Sequence, residues 1–173
     1  ALLVHLKTIV GTGVHCCWMP VDDDTALIYG RELLGYPKKM ARIDFEEDEK
    51  GIEAGVTRRG VKVLSLRGKR GRPQAAPPPV FDLKTFNVGG MGQLFAFNPV
   101  WMLRPMEVIH EAYEAEVEVE IEDSEHDPLA RFLEPAAVAG RMAVIDILGS
   151  KYMWPVGLAG VRWLSRTFGM RTR

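Results

Sequence analysis

The sequence has few cysteines, little net charge and no long apolar run. Its two cysteines, Cys16 and Cys17, are adjacent and therefore badly placed to bridge each other, so no disulfide is expected. The 22 basic and 23 acidic residues give a net charge of −1, which provides no chain-wide attraction to phosphate or to an anionic membrane. No apolar stretch approaches the roughly 20 residues of a membrane-spanning helix. We therefore expect a soluble, cytoplasmic protein that binds no membrane.

Three chemical signatures are also missing. The four histidines, His5, His15, His110 and His126, show no metal-ligand spacing with each other or with the cysteines, which argues against a metal site. No Gly-x-Ser-x-Gly elbow is present, which removes the simplest serine-hydrolase interpretation. The glycine-rich residues 87–92 lack the lysine of a P-loop, and we interpret them as a tight connection between strands.

The patterning indicates a mainly β protein with a few short helices. A chain of 173 residues, 47% of them hydrophobic, is long enough for one domain over residues 1–173. Apolar and acidic residues alternate strictly at 116–122, which is typical of an antiparallel strand with one wet face. Further strands are predicted at 1–10, 25–29, 41–45 and 61–66, and short helices at 127–133 and 158–168. This mixture favours a closed barrel or a strongly curved antiparallel sheet.

Two further segments bear on the organisation of the domain. Residues 67–79 are basic and then proline-rich, and we expect an exposed loop there. The strand predicted at 1–10 begins with the first residue, and its backbone groups need partners. We therefore expect the domain to lack its N-terminal part.

The segment with the clearest chemical potential spans residues 30–41. Pro37 fixes its own φ and pushes Tyr36 toward extended geometry, so Lys38 and Lys39 follow a stiff piece of backbone. A neutral lysine amine adds to a ketone, and the resulting protonated imine acts as an electron sink for the bond that breaks beside it. Because a free lysine is protonated at neutral pH, the pKa of such a residue must be lowered.

The residues alone leave open which lysine reacts. Neighbouring side chains of an extended strand point to opposite faces, so the two amines should diverge and burial should lower the pKa more than the adjacent charge does. Continued alternation groups Lys39 with Ala41, Ile43 and Phe45, which would bury Lys39 rather than Lys38. A bulge or a later strand start would remove this conflict.

The same segment resembles the acetoacetate decarboxylase family. Its signature of Gly-Arg-Glu, two variable residues and a short turn into Tyr-Pro-Lys-Lys is matched at residues 30–39, and weaker similarity extends upstream to Gly13. The resemblance implies a cone-like antiparallel β-barrel, a homo-oligomer, no metal or organic cofactor, and a Schiff base on Lys38. The implied reaction is decarboxylation of a small β-keto acid such as acetoacetate to acetone and carbon dioxide. Acetoacetate decarboxylase is itself the established example of a lysine activated by desolvation or a neighbouring cation.

The resemblance also orders the candidate site residues. It selects Lys38 as the imine-forming residue, with Lys39 as a second candidate for a direct role. Arg31 and Glu32 either support the site from behind or simply form an ion pair that fixes the turn. Possible pocket-lining residues are Trp18, Met19 and Tyr36. The family's upstream glutamate and arginine, which handle the substrate carboxylate and protons, fall before Ala1 in a gap-free extension.

Three other functions remain open. The wider superfamily includes aldolase-dehydratases that use the same lysine imine on 2-oxo acids, and a non-catalytic ligand-binding relative would keep the fold alone. Residues 69–73, Lys-Arg-Gly-Arg-Pro, resemble an AT-hook core that lies in the minor groove of A·T-rich DNA. A single copy in a chain without net positive charge argues against nucleic acid as a partner, and a basic loop that admits an anionic substrate or joins a subunit interface explains the same residues.

Overall fold

The computed structural model describes residues 1–49, 51–81, 83–89, 98–127 and 129–160, and most of these residues lie in strands. The strands are β1 Leu2–Thr8, β2 Gly11–Val21, β3 Lys38–Met40, β4 Arg42–Asp48, β5 Gly51–Arg58, β6 Val61–Pro73, β7 Thr85–Val88, β8 Pro99–Ile121 and β9 Ala136–Leu158. A short helix α1, Asp24–Ile28, continues directly into a π-helix, Tyr29–Leu33, and a 3-10 turn spans Leu129–Arg131. Across these ranges, no helix has the length and apolar character needed to cross a membrane.

The chain divides into two compact units. The first contains residues 1–40, 80–107 and 147–173. In it, β2 pairs antiparallel with β1 and parallel with both β3 and β7, and β7 pairs antiparallel with β8. Alternate residues of β2 face the core of this unit, because Val14, Cys16 and Trp18 are all buried. In the short parallel pairing of β2 with β3, Met19 lies opposite Lys38.

The second unit contains residues 41–79 and 108–146. Its strands β4, β5, β6 and β8 pair antiparallel in that order. The acidic face of β8 meets a basic face of β6, with Arg67 opposite Glu118 and Lys69 opposite Glu116. Opposite charges at such cross-strand positions stabilise a sheet. The alternating acidic residues of β8 are therefore matched by the basic segment of β6.

Most strand predictions are confirmed, but two segments were misread. The strands at 1–10, 41–45, 61–66 and 116–122 are present, although β8 is much longer than predicted. Residues 25–29 form helix rather than strand, because the Asp23 carboxylate accepts a hydrogen bond from the Ala26 amide at 2.6 Å and caps α1. The predicted loop at 67–79 begins only after Pro73, since residues 67–73 belong to β6.

The mainly β fold class is confirmed, whereas the closed barrel is not. In the first unit the described strands form an open path from β1 to β8, and in the second an open path from β8 to β4, with β9 beside β8. A 3-10 turn accounts for part of the helix predicted at 127–133. Most of the helix predicted at 158–168 lies outside the described residues, as do residues 90–92 of the glycine-rich segment. One domain over residues 1–173 stays a prediction.

Candidate functional site

A compact run of local structure leads the chain to the two lysines. After α1 and the π-helix, Gly35 adopts a φ of 70°, a left-handed conformation that favours glycine. The Tyr36 amide then donates to the Gly30 carbonyl at 3.0 Å, and the Lys38 amide donates to the Tyr36 carbonyl at 2.8 Å. Pro37 has no amide hydrogen and a fixed φ, so the backbone has little freedom at the point where it enters β3.

The Lys38 side chain turns back over the helical segment that precedes it. It is half-buried, and its Nζ donates a hydrogen bond to the Ala26 carbonyl oxygen at 2.8 Å. The stem of the side chain crosses Gly30 so closely that a Cβ at that position would lie 2.3 Å from Lys38 Cε and 2.6 Å from Nζ. Gly30 therefore provides the space in which the amine rests.

The surroundings of Lys38 favour its neutral amine. Burial lowers the pKa of Lys38 below its ordinary value, while electrostatic interactions with Cys16 and Asp23 partly oppose this shift. Desolvation is the larger effect, as expected for an ammonium group removed from water. The fraction of Lys38 that can act as a nucleophile at neutral pH is therefore larger than for a surface lysine.

Lys39 takes the opposite face of β3. It is only 5% exposed and lies opposite Pro20, on the side of β2 that carries Cys16 and Trp18. Lys39 is therefore buried, as the alternation pattern predicts. However, β3 ends before Ala41, and the pattern does not continue into β4. Lys38 and Lys39 diverge, and Lys38 is the one whose amine meets the helical segment.

Tyr36 belongs to a small polar cluster beneath the turn. Burial raises the pKa of Tyr36, and interactions of its phenol with the side chains of Thr85 and Asn87 in β7 partly oppose this rise. Asn87 also donates from Nδ2 to the Leu34 carbonyl at 2.9 Å. The phenol therefore stays protonated across the physiological range and anchors the turn to β7.

The other predicted site residues have different surroundings. Met19 is half-buried directly opposite Lys38, whereas Trp18 is buried on the other side of β2. Arg31 and Glu32 form an exposed ion pair with each other at 2.8 Å on the π-helix. This favours the interpretation in which Arg31 and Glu32 fix the local surface rather than touch a ligand.

The basic residues of the AT-hook-like segment are held within the second unit. Arg70 contacts Glu47 at 2.5 Å and stacks on the Tyr113 ring, 4.3 Å from its centroid, and Arg72 contacts Glu114 at 3.1 Å. These contacts are those of a strand with matched charges. In the described part of the chain, no group of three or more His, Cys, Asp or Glu side chains could hold a metal ion.

Several residues around Lys38 were missed by sequence reasoning. The Ala26 carbonyl gives no signal because any residue type supplies one, and nothing in the sequence links Cys16 to Lys38. Thr85 and Asn87 lie in a short buried strand, 47 or more residues after Lys38, with nothing in the sequence that links them to the turn. Only Gly30 could have been found, since it stands within the motif.

Comparison with known proteins identifies a family. The family model described as acetoacetate decarboxylase matches residues 2–164. No curated protein matches the chain. Among solved structures, acetoacetate decarboxylase from Legionella pneumophila is 15% identical, with a TM-score of 0.77 over 90% of this chain and 65% of that one. The chain thus spans slightly less than two thirds of that relative's length.

Two further structures are similar. An acetoacetate decarboxylase-like enzyme from Sphingomonas wittichii is 17% identical, with a TM-score of 0.70, over 90% of this chain and 68% of that one. The enduracididine biosynthesis enzyme MppR, complexed with pyruvate, is 14% identical with a TM-score of 0.66, over 86% of this chain and 63% of that one. At these identities the likeness shows the fold alone.

Proposed function

Because the chain belongs to the acetoacetate decarboxylase family, we propose that it forms a Schiff base between Lys38 and the ketone of a small β-keto acid and releases carbon dioxide. The observation that carries this proposal is the half-buried Lys38 amine, whose pKa is lowered by desolvation while the Ala26 carbonyl holds it. A neutral amine in a fixed position is what attack on a ketone requires.

The proposed reaction uses one lysine and consumes one proton from solvent, while the water lost on imine formation is regained on hydrolysis. Lys38 Nζ adds to the ketone carbon, and loss of water gives a protonated imine. The bond to the carboxylate then breaks, its electron pair moves into the imine, carbon dioxide leaves, and an enamine remains. Protonation of the enamine carbon and hydrolysis of the imine release the ketone and restore Lys38. For acetoacetate the products are acetone and carbon dioxide.

A second reaction shares the first intermediate. MppR, whose fold this chain shares, is complexed with pyruvate, which is a 2-oxo acid rather than a β-keto acid. We keep aldol or dehydration chemistry on a 2-oxo acid as the alternative, because an imine on Lys38 serves both reactions. The cone-like closed barrel, the homo-oligomer and the cytoplasmic location implied above also stay predictions.

The test is borohydride reduction of the protein in the presence of acetoacetate or pyruvate, followed by intact mass and peptide mapping. We expect a reduced adduct on Lys38 with acetoacetate, together with carbon dioxide release. Lys38→Met should abolish both, and Lys39→Met serves as the matched control that retains the adduct. An adduct on Lys39 would move the site by one residue, whereas an adduct with pyruvate alone would favour the second reaction. No adduct with either acid would contradict the proposal.

A further inference from the structure

The strand β7 places a polar side chain where an apolar one would be ordinary. All four residues of β7 are buried, and Asn87 is 0% exposed. An asparagine in a buried strand must make hydrogen bonds to offset the loss of water. The contacts of Asn87 therefore indicate what this residue is for.

Asn87 interacts with two residues of the turn that precedes the lysines. Its Nδ2 donates to the Leu34 carbonyl at 2.9 Å, and its side chain interacts with the Tyr36 phenol strongly enough to affect the pKa of Tyr36. Between these two residues, Gly35 packs against the end of β7, since a Cβ there would lie 3.2 Å from the Val88 carbonyl oxygen. Asn87 thus holds the turn on both sides of its left-handed glycine.

The turn transmits this restraint directly to the lysine. The Tyr36 carbonyl accepts the Lys38 amide hydrogen at 2.8 Å, and the Tyr36 amide donates to Gly30, over which the Lys38 side chain lies. A shift of Tyr36 would therefore move both the backbone of Lys38 and Gly30, on which the Lys38 side chain lies. The depth at which the amine is buried depends on this arrangement.

Asn87 is also incompletely satisfied. Its Oδ1 is buried and accepts no hydrogen bond from any group in the described residues. An apolar side chain of similar shape would avoid that cost but would leave the Leu34 carbonyl without its Asn87 donor. What an apolar side chain could not do is hold the Leu34 carbonyl and the Tyr36 phenol.

We propose that Asn87 is a positioning residue for Lys38, fixing the turn at residues 34–37 so that the amine stays sheltered from water against Ala26 and Gly30. This inference rests on the proposed function, because it assigns Asn87 a role through the reactivity of Lys38. The charged or titratable groups that act on the Lys38 amine are Cys16 from β2 and Asp23 at the start of α1. Both residues are unchanged in an Asn87 variant.

The test measures the rate of imine trapping by borohydride, with acetoacetate as the probe, as a function of pH. In Asn87→Leu, which keeps the volume but removes both contacts, we expect the pH midpoint of the rate to move up toward the ordinary lysine value. A shift of one pH unit corresponds to about a tenfold slower reaction at pH 7. Well above the midpoint, where the amine is neutral in both proteins, the rates should converge.

A matched control separates positioning from general loosening of the core. Phe86→Leu alters the adjacent buried residue of β7, whose side chain lies against Gly13 of β2, since a Cβ at Gly13 would lie 2.7 Å from Phe86 Cε2. It should lower the melting temperature without moving the pH midpoint. Where Asn87→Leu does not fold, Asn87→Ser applies the same test, because its shorter side chain loses the reach to Leu34.

The outcomes distinguish this inference from the proposed function. If the wild-type protein gives no adduct, both are wrong. If it gives an adduct on Lys38 but the Asn87 variant has the wild-type pH midpoint, Asn87 does not position the lysine and the imine chemistry stands. An equal midpoint shift in Phe86→Leu would also overturn the inference, because any loosening of β7 would then have the same effect.

Discussion

Replacing Gly30 by alanine is the sharpest geometric test of the Lys38 site. The added Cβ would lie 2.3 Å from Lys38 Cε, whereas ordinary van der Waals contact begins at 3.4 Å. The obstructing atoms are the far end of a flexible side chain rather than backbone, so the lysine can move away and the fold can persist. Alanine also favours helical backbone over glycine by about 1 kcal/mol, which offsets the cost of this adjustment.

The expected consequence is a displaced amine in a folded protein. Cε must retreat by about 1 Å, which would draw Nζ off the Ala26 carbonyl, and a misplacement of this size can cost a reaction on the order of 100-fold. We therefore expect Gly30→Ala to trap an imine on Lys38 roughly 100 times more slowly, while its melting temperature changes by a few degrees at most.

The assay compares initial trapping rates for wild type, Gly30→Ala and Gly157→Ala at equal acetoacetate concentration. Gly157 is the matched control, because a Cβ there meets nothing within 4 Å. It should trap at the wild-type rate. Wild-type trapping by a folded Gly30→Ala protein would refute the reasoning, since it would mean that the amine reacts from another position.

Three further predictions follow from charged residues. The folded protein holds the pKa of Lys38 below the ordinary 10.5. The charged lysine therefore destabilises the fold fully below that lowered pKa, and this effect decreases as the pH rises to 10.5. Thermal melts should show that Lys38→Met is more stable than wild type at pH 7 and that the difference shrinks near pH 10.5. Asp127→Asn breaks a buried pair with Arg58, whose atoms are 2.5 Å apart, and should lower the free energy of unfolding in urea by about 3 kcal/mol; a change below 1 kcal/mol would contradict this. Arg31→Ala should cost less than about 1 kcal/mol in the same assay and leave trapping unchanged, because its pair with Glu32 is exposed.

The β segments were predictable where one local pattern dominates. Alternation at 116–122 gave a correct strand because every second residue is acidic and must face water. The basic segment 67–73 carries the matching signal, with Arg67 and Lys69 on one face, but its partner strand lies about 50 residues away. Cross-strand charge pairing is a property of two segments, and a single segment with glycine and proline therefore looks like a loop.

The prediction at Asp24–Ile28 was wrong for a related reason. The apolar residues of this helix fit a short strand equally well, and the deciding feature is the Asp23 cap, whose effect competes with β propensity only at the segment boundary. At the site, the motif identified the lysine pair and its stiff approach. The contact of Lys38 with Gly30 lies within the motif, whereas the interactions of Tyr36 with Thr85 and Asn87 of β7 join distant parts of the chain, and no local pattern encodes them.

The carbonyl of Ala26 has one consequence for the balance between chemical states of Lys38. It accepts hydrogen bonds from the Lys38 ammonium group and from the Tyr29 amide, and a hydrogen bond from a cation is stronger than one from a neutral donor. It therefore opposes the loss of the proton that creates the nucleophile. A protonated imine on the same nitrogen keeps one N–H and one positive charge, so this carbonyl would favour it in the same way. In the proposed reaction, less of the protein would start as free amine, and more of it would remain as the cation that draws electrons from the breaking bond.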